Sequence, residues 1–283
     1  MHSDPNTLQP VDYLVLGHLS CDITPSGLKL GGTVSYASLT ARALGYKPGV
    51  VTSWAGEIPL DPLGDIQVFS IPTERSTTFE NIYSHSTRKQ IIHHQATPID
   101  YASVPDIWKR SSIIHLGPIA QEMQITSETG LSPSFLGLTP QGWMRTWDDA
   151  GNVTHQCCPD LKPLISQAGA MVISIEDVEG DEEKIEMLSL ECKVLAVTEG
   201  YAGARLYWNQ DMRRFNAQEV EEVDATGAGD IFATAFFIRM LVTRDPWEAA
   251  RFATLIASNS VQRVGLDGIP TSEEIKTALM EVV

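Results

Sequence analysis

The first apolar run of the chain, VDYLVLG at residues 11–17, is short, partly β-branched and closed by a glycine. Consecutive apolar positions over so short a stretch predict a strand buried on both faces, as in a parallel sheet. Residues 33–44 change rhythm. Small and apolar side chains recur there at helical spacing and stop at Gly45, a residue that suits a helix end. GVVTSW at 49–54 returns to a strand. Strand, helix and strand in succession form a crossover unit, which pairs its two strands in parallel. Buried strands are predicted again at 112–116, 170–175 and 194–198, with an acidic helix over 180–190 and a hairpin return over 203–208.

The middle and the C-terminal third read differently. STTFENIYSHSTRKQIIHHQA at 76–96 is polar, rich in Thr and His, and breaks around residues 84–88. It predicts two antiparallel strands lying over a site rather than in the core. His93 and His94, adjacent on such a strand, would point to opposite faces and could not share a metal. Asp245-Pro246-Trp247-Glu248 is a strong helix start, with Asp as cap, Pro at the first position and Glu closing a capping box. Thr271-Ser272-Glu273-Glu274 repeats the device. With no repeat and no linker-like stretch, the expectation is one α/β domain over 1–283, with small lid elements near 18–30 and 74–97.

Composition narrows the partners. Twenty basic against 36 acidic residues give a net charge of −16, which argues against a nucleic-acid backbone or an anionic membrane as partner. Any phosphate must then be held by local donors or a metal. Four cysteines, Cys21, Cys157, Cys158 and Cys192, show no zinc-ligand spacing and read as reduced thiols. The polar residues 1–10 lack the apolar stretch of a signal peptide, and the longest apolar run, 231–242, contains Arg239 and falls short of a membrane span. A soluble cytoplasmic protein is expected.

The richest chemistry lies in Asp224-Ala225-Thr226-Gly227-Ala228-Gly229-Asp230, which runs straight into an apolar helix. Small residues at a helix start leave backbone N–H groups bare where the helix dipole is positive, a geometry suited to an anion such as phosphate. It is neither a Walker loop nor a dinucleotide fingerprint, since Phe232 stands where the third glycine of the latter would be. A carboxylate beside a phosphate cradle makes sense as the acceptor of a hydroxyl proton, and Asp230 is so placed. The helix terminus is expected to keep its pKa low.

DATGAGD resembles the C-terminal signature, usually DTxGAGD, of the ribokinase/phosphofructokinase-B family of carbohydrate and nucleoside kinases. The likeness extends along most of the chain: Asp22 beyond the first strand, Gly31-Gly32 opening a helix, and Thr198-Glu199-Gly200 with Gly203 as a nucleotide strand and turn. It implies a three-layer α/β/α sandwich with a mostly parallel central sheet and a small β lid. It also implies an ATP- and Mg²⁺-dependent kinase, with a monovalent-ion requirement open. By the same resemblance Asp230 would be the catalytic base, and the amides of Gly227, Ala228 and Gly229 the anion hole. Asp22, Gly31 and Gly32 would bind substrate hydroxyls. Thr198, Gly200, Gly203 and Asn259 would line the nucleotide site, and Asp177 would reach the metal through water.

The sequence departs from the family at three places. Ala225 replaces the usual Thr, Tyr36 stands where many sugar-specific members carry Asn, and Ser174-Ile175-Glu176-Asp177 replaces NxxE. GGTVSYAS, STTFENIY and GLTPQGWMR are similar to the inositol-kinase-like branch, which implies a small polyol acceptor, myo-inositol foremost. Asp22, Asn81, Gln141 and Arg145 are the polar residues available to it from loops. Another sugar or a nucleoside is the alternative acceptor, with Trp54, Tyr36, Phe79 and Tyr83 as stacking groups or as core. A non-catalytic binder on the same fold is the rival class. Monomer and homodimer both remain open.

Overall fold

The computed structural model describes residues 7–84, 87–156 and 159–280. In chain order its elements begin with β1 (Tyr13–Leu16), β2 (Ser20–Thr24), β3 (Gly27–Gly31), α1 (Thr33–Ala43), β4 (Pro48–Ser53) and β5 (Gln67–Ile71). Then come β6 (Thr77–Ser84), β7 (Thr87–His94), β8 (Ile113–Leu116), β9 (Phe135–Leu138), β10 (Arg145–Trp147) and β11 (Val153–His155). The last third holds α2 (Lys162–Ile165), β12 (Ala170–Ser174), α3 (Glu182–Glu191), β13 (Val194–Thr198), β14 (Ala204–Trp208), β15 (Asp211–Phe215), α4 (Ala228–Thr243), α5 (Pro246–Ser260) and α6 (Ser272–Met280).

Among the described residues nine strands form the main sheet, in the order β15-β14-β13-β12-β9-β8-β1-β4-β5. The strands from β13 to β5 pair in parallel, and β14 and β15 close one edge antiparallel. Alternation within each strand divides the core between the two faces. Tyr13 and Val15 of β1 join Val34 of α1 and Ile231, Phe232 and Phe236 of α4. Leu14 and Leu16 join Trp108, Leu164, Ile185 and Leu188 on the other side. The result is the three-layer α/β/α sandwich with a mostly parallel sheet that the sequence led us to expect.

A second sheet, β3-β2-β6-β7, stands apart from the first and is built from the two segments assigned to a lid. Its inner face carries Phe79 and Ile92, which pack with Ile119 and Ala120. The β10–β11 hairpin is tied to its edge, where Ile92 N–H donates to the Gly151 carbonyl at 2.9 Å. Asp22 and Asn81 therefore sit on strands, β2 and β6, rather than on loops.

Two local expectations need correction. His93 and His94 do not diverge: the β6–β7 register slips between Thr78 and Phe79, and both histidines line one cavity of about 490 Å³ with Glu57, Glu74 and Arg75. Among the described residues no cluster of His, Cys, Asp and Glu could hold a metal. Asp245 does cap α5, accepting from the amides of Trp247 and Glu248, but Glu248 closes no box because its carboxylate pairs with Arg239 and Arg251. The Thr271–Glu274 box is complete in both directions. Trp54, Tyr36 and Phe79 are buried core residues. Cys157 and Cys158, and the side chain of Tyr83, lie outside the described residues. No helix among the described residues is long and apolar enough to cross a membrane.

Candidate active site

Open α/β sheets bind ligands in the crevice outside the carboxyl ends of their parallel strands. Two helix starts meet there, α1 after Gly31-Gly32 and α4 after Gly227. The loop before α4 is held by Asp224, whose carboxylate accepts from the amides of Thr226 (2.9 Å) and Gly265 (2.8 Å). Burial works against that charge, but these contacts outweigh it and hold the carboxyl below its ordinary range. Gly227 turns the chain into the helix at φ 80°, and a Cβ there would come within 2.2 Å of the Tyr36 ring, so only glycine fits. At Gly229 a Cβ would meet nothing within 4 Å, so the backbone of the first turn faces open space. The Ala228 amide is already engaged, donating to the Ala225 carbonyl at 3.2 Å. The anion hole expected from three amides is thus reduced by one.

Asp230 stands in this first turn. Loss of hydration pushes its carboxyl up from 3.8 to about 6. A hydrogen bond from the Thr33 hydroxyl and the charge of Arg145 pull it down, and the charge of Asp177 pushes it further up. Where the helix terminus led us to expect a lowered carboxyl, loss of hydration raises it instead. A buried column lies beneath. The Thr234 hydroxyl donates to the Asp230 carbonyl (2.9 Å), Tyr13 reaches Thr234 (3.4 Å) and shares a hydrogen bond with His115 (2.9 Å), and His115 meets Thr139 (2.8 Å). Burial drives the His115 pKa down to about 3, so the imidazole stays neutral.

The other candidates make contacts of their own. Asp22 accepts from the Ser20 hydroxyl at 2.8 Å and lies against the Cα of Gly31. Gly32 is the cap of α1. Gln141, in a 3₁₀ turn over 140–144, donates to Asp177 at 3.2 Å. Asp177 also accepts from the Ser174 amide at 2.8 Å, closing a capping box over the turn that follows β12. Asn81 accepts from Gln90 on the lid sheet at 3.0 Å.

The nucleotide candidates are more dispersed. Thr198 ends β13, and Gly200 opens the turn that Gly203 closes. Gly203 has a structural reason of its own, since a Cβ would come within 2.0 Å of the Phe215 carbonyl oxygen. Asn259 lines a separate cavity of about 160 Å³ with Gln218, Leu255 and Glu273, which neither Thr198, Gly200 nor Gly203 lines.

Two residues near the crevice were not singled out from the sequence. Thr33 follows Gly31-Gly32 directly, and its place as the first residue of a helix was the available signal. Glu122 is fully buried and accepts from the amides of His18, Ile119 and Ala120, which ties together the loops that follow β1 and β8. Nothing local in the sequence marks it.

The sequence profile of the pfkB family carbohydrate kinases matches residues 163–272, the span that carries the Asp224–Asp230 loop. Over that span the chain is similar to the pfkB family. It is 24% identical over 199 residues to the probable fructokinase-6, chloroplastic, of Arabidopsis thaliana, covering 63% of this chain and 52% of that one. It is 28% identical over 126 residues to the inositol 3-kinase of Zea mays, covering 44% of this chain and 33% of that one. The chain thus spans about half, or less, of the curated relatives it matches. A solved pyrophosphate-dependent kinase in the ribokinase family, complexed with a pyrophosphate analog and myo-inositol, superposes with a TM-score of 0.77 at 19% identity. That superposition covers 94% of this chain and 99% of that one, and it speaks for the fold.

Proposed function

We propose that this chain is a phosphotransferase that moves the γ-phosphoryl group of ATP to a hydroxyl of a small polyol or sugar, with myo-inositol as the foremost acceptor. The observation that carries the reading is Asp230: a carboxyl titrating near 6, in the first turn of a helix whose Gly229 backbone faces open space, beside Arg145. Its pKa lies close to neutral pH, where a general base combines availability with driving force. At pH 7 about nine-tenths of such a group is ionised.

In this reaction Asp230 takes the acceptor hydroxyl's proton as the new O–P bond forms and the bond to the leaving phosphate breaks. Asp22, Asn81 and Gln141 orient the remaining hydroxyls, and Gly31 and Gly32 let the acceptor approach the backbone. The amides of Gly227 and Gly229 at the start of α4 meet the transferring group, and Arg145 adds positive charge in a site otherwise dominated by acids. Thr198, Gly200 and Gly203 border the donor, with Asn259 further out. Phosphoryl transfer through a loose transition state depends mostly on this positioning and charge neutralisation.

Mg²⁺ fits the site as an ion carried on phosphates rather than one caged by protein, because each Asp177 oxygen has a single protein donor and keeps a lone pair for a metal-bound water. When bound, it neutralises the charge between donor phosphates. The likeness to an inositol 3-kinase and to a fold neighbour solved with myo-inositol supports the acceptor. The same neighbour's pyrophosphate dependence makes pyrophosphate the alternative donor.

The test is phosphorylation of myo-inositol, ribose, fructose, adenosine and uridine with Mg²⁺ and either ATP or pyrophosphate, with Asp230→Asn in parallel. Turnover of myo-inositol with ATP, lost at least about a hundredfold in Asp230→Asn, is the expected result. Turnover of another acceptor moves the substrate, and turnover with pyrophosphate alone moves the donor. Binding without any turnover favours a non-catalytic binder.

A further inference from the structure

The lid sheet shares no strand with the main sheet, so its placement depends on the four stretches where the chain crosses between lid and body: after β1, after β3, before β6 and after β7. His18 meets all four. It lies in the first crossing and is fully buried. Its Nδ1 shares a hydrogen bond with the hydroxyl of Thr77 (2.7 Å), where the third crossing enters β6. Its Nε2 donates to the Thr97 carbonyl (3.0 Å) in the fourth, and because that oxygen can only accept, the hydrogen must sit on Nε2. Its own carbonyl oxygen faces Gly32 in the second crossing. Gly32 has φ 87° and a Cβ there would come within 2.5 Å of that oxygen, so only glycine lets the chain pass so close.

The ties to either side are as definite. On the body side the His18 amide donates to the buried carboxylate of Glu122 (2.8 Å), which also holds the amides of Ile119 and Ala120. Ser53, at the end of β4, donates to the same Thr97 carbonyl (2.6 Å). On the lid side the Thr77 hydroxyl accepts from the Ala96 amide (3.0 Å). An imidazole is a rigid ring, so its two nitrogens hold the third and fourth crossings at one separation. A bond lost at so buried a place leaves a polar group with no water to replace its partner.

Building on the kinase reading above, we propose that His18 is the positioning residue of the acceptor site, a pin that fixes the β3-β2-β6-β7 sheet against the main sheet and with it Asp22, Asn81 and Gly31-Gly32. It acts through those residues rather than on the acceptor itself. With the pin loosened, the lid samples orientations in which Asp22 on β2 and Asn81 on β6 no longer stand over the start of α1. Only the seated fraction then binds acceptor, and the apparent affinity falls by that fraction. A bound acceptor reseats the lid, so the rate at saturation is spared.

Thr77→Val keeps the shape of the side chain and removes the hydroxyl that His18 and the Ala96 amide share. KM for the acceptor is expected to rise about tenfold, as when nine-tenths of the lids are unseated, while kcat stays within about threefold. Thr77→Ser restores the hydroxyl and should bring KM back. His18→Phe keeps a ring but removes both nitrogens, and should raise KM at least as much. Amide hydrogen exchange followed by mass spectrometry reads the same pin without turnover. In Thr77→Val the amides of β6 and β7 should exchange at least about tenfold faster, with those of β12 and β13 unchanged. Exchange that quickens equally in both sheets, or in neither, overturns the proposal, as does a loosened lid with KM unmoved. Faster exchange confined to the lid, in a protein that phosphorylates nothing, keeps the pin and sinks the kinase reading instead.

Discussion

Asp230 carries a stability cost that can be measured without any substrate. In the folded protein its carboxyl titrates near 6, against 3.8 for a free side chain. The folded state therefore binds this proton more tightly than the unfolded chain does. Its contribution to stability is intact below pH 3.8 and is lost as the pH rises through 6. The gap corresponds to at most about 3 kcal/mol at neutral pH, less where solvent reaches the group. Asp230→Asn keeps the size, still accepts the Thr33 hydroxyl bond, and removes the charge. Urea unfolding of both proteins from pH 4 to pH 8 is the assay, with m-values compared to check that both remain two-state. The variant should be more stable by about 2–3 kcal/mol at pH 7.5, and the two curves should converge towards pH 4. A variant equal to or weaker than the native protein at pH 7.5 would refute the claim that burial dominates this carboxyl. A stability gain paired with lost activity is the trade-off expected where a charge is held in place for chemistry.

Other consequences are equally direct. The acid limb of kcat/KM in the native protein should fall near pH 6, and Arg145→Gln, which removes the charge that pulls Asp230 down, should shift that limb upwards in a pH–rate series. Gly227→Ala meets both an unfavourable φ and the Tyr36 ring, so chemical denaturation should show a loss of about 2–4 kcal/mol. Adding Tyr36→Ala should relieve the steric part alone, giving a coupling of about 1 kcal/mol or more in a double-mutant cycle. Glu248→Gln leaves Arg239 and Arg251 without their carboxylate between α4 and α5. Denaturation should register about 2 kcal/mol of that loss, with kcat unchanged because Glu248 is remote from the crevice.

Much of the architecture could be read from the chain because buried parallel strands are written as short apolar runs. Tyr13–Leu16, Ala170–Ser174 and Val194–Thr198 all fall inside predicted segments. Two of the strands that escaped notice, Gln67–Ile71 and Phe135–Leu138, are short and carry Gln, Ser or Gly, so their neighbours rather than their own pattern make them strands. The Asp224–Asp230 loop was legible because glycines next to a helix-initial carboxylate are a local signal. What surrounds it was not. Thr33, Arg145 and Asp177 approach Asp230 from three distant parts of the sequence, and the direction of its pKa depends on burial that only the assembled fold creates. Glu248 illustrates the same limit, since its spacing from Asp245 suits a capping box while two arginines from packed helices claim its carboxylate.

The meeting of α1 with α4 has a consequence for how the protein is made. Thr33 leaves the ribosome long before Asp230, by roughly ten to forty seconds at ordinary elongation rates of about 5–20 residues per second. During that interval the central strands exist, but the helix bearing Phe232, Phe236 and Phe237 that covers them does not. A nascent chain stalled before residue 228 would present that uncovered sheet face to its surroundings and hold only half of the crevice. Synthesis must run through α4, to about residue 243, before the sheet is covered. Arrest, premature termination or slow codons in this stretch should therefore be read out first as chaperone binding and aggregation, and only secondarily as lost activity.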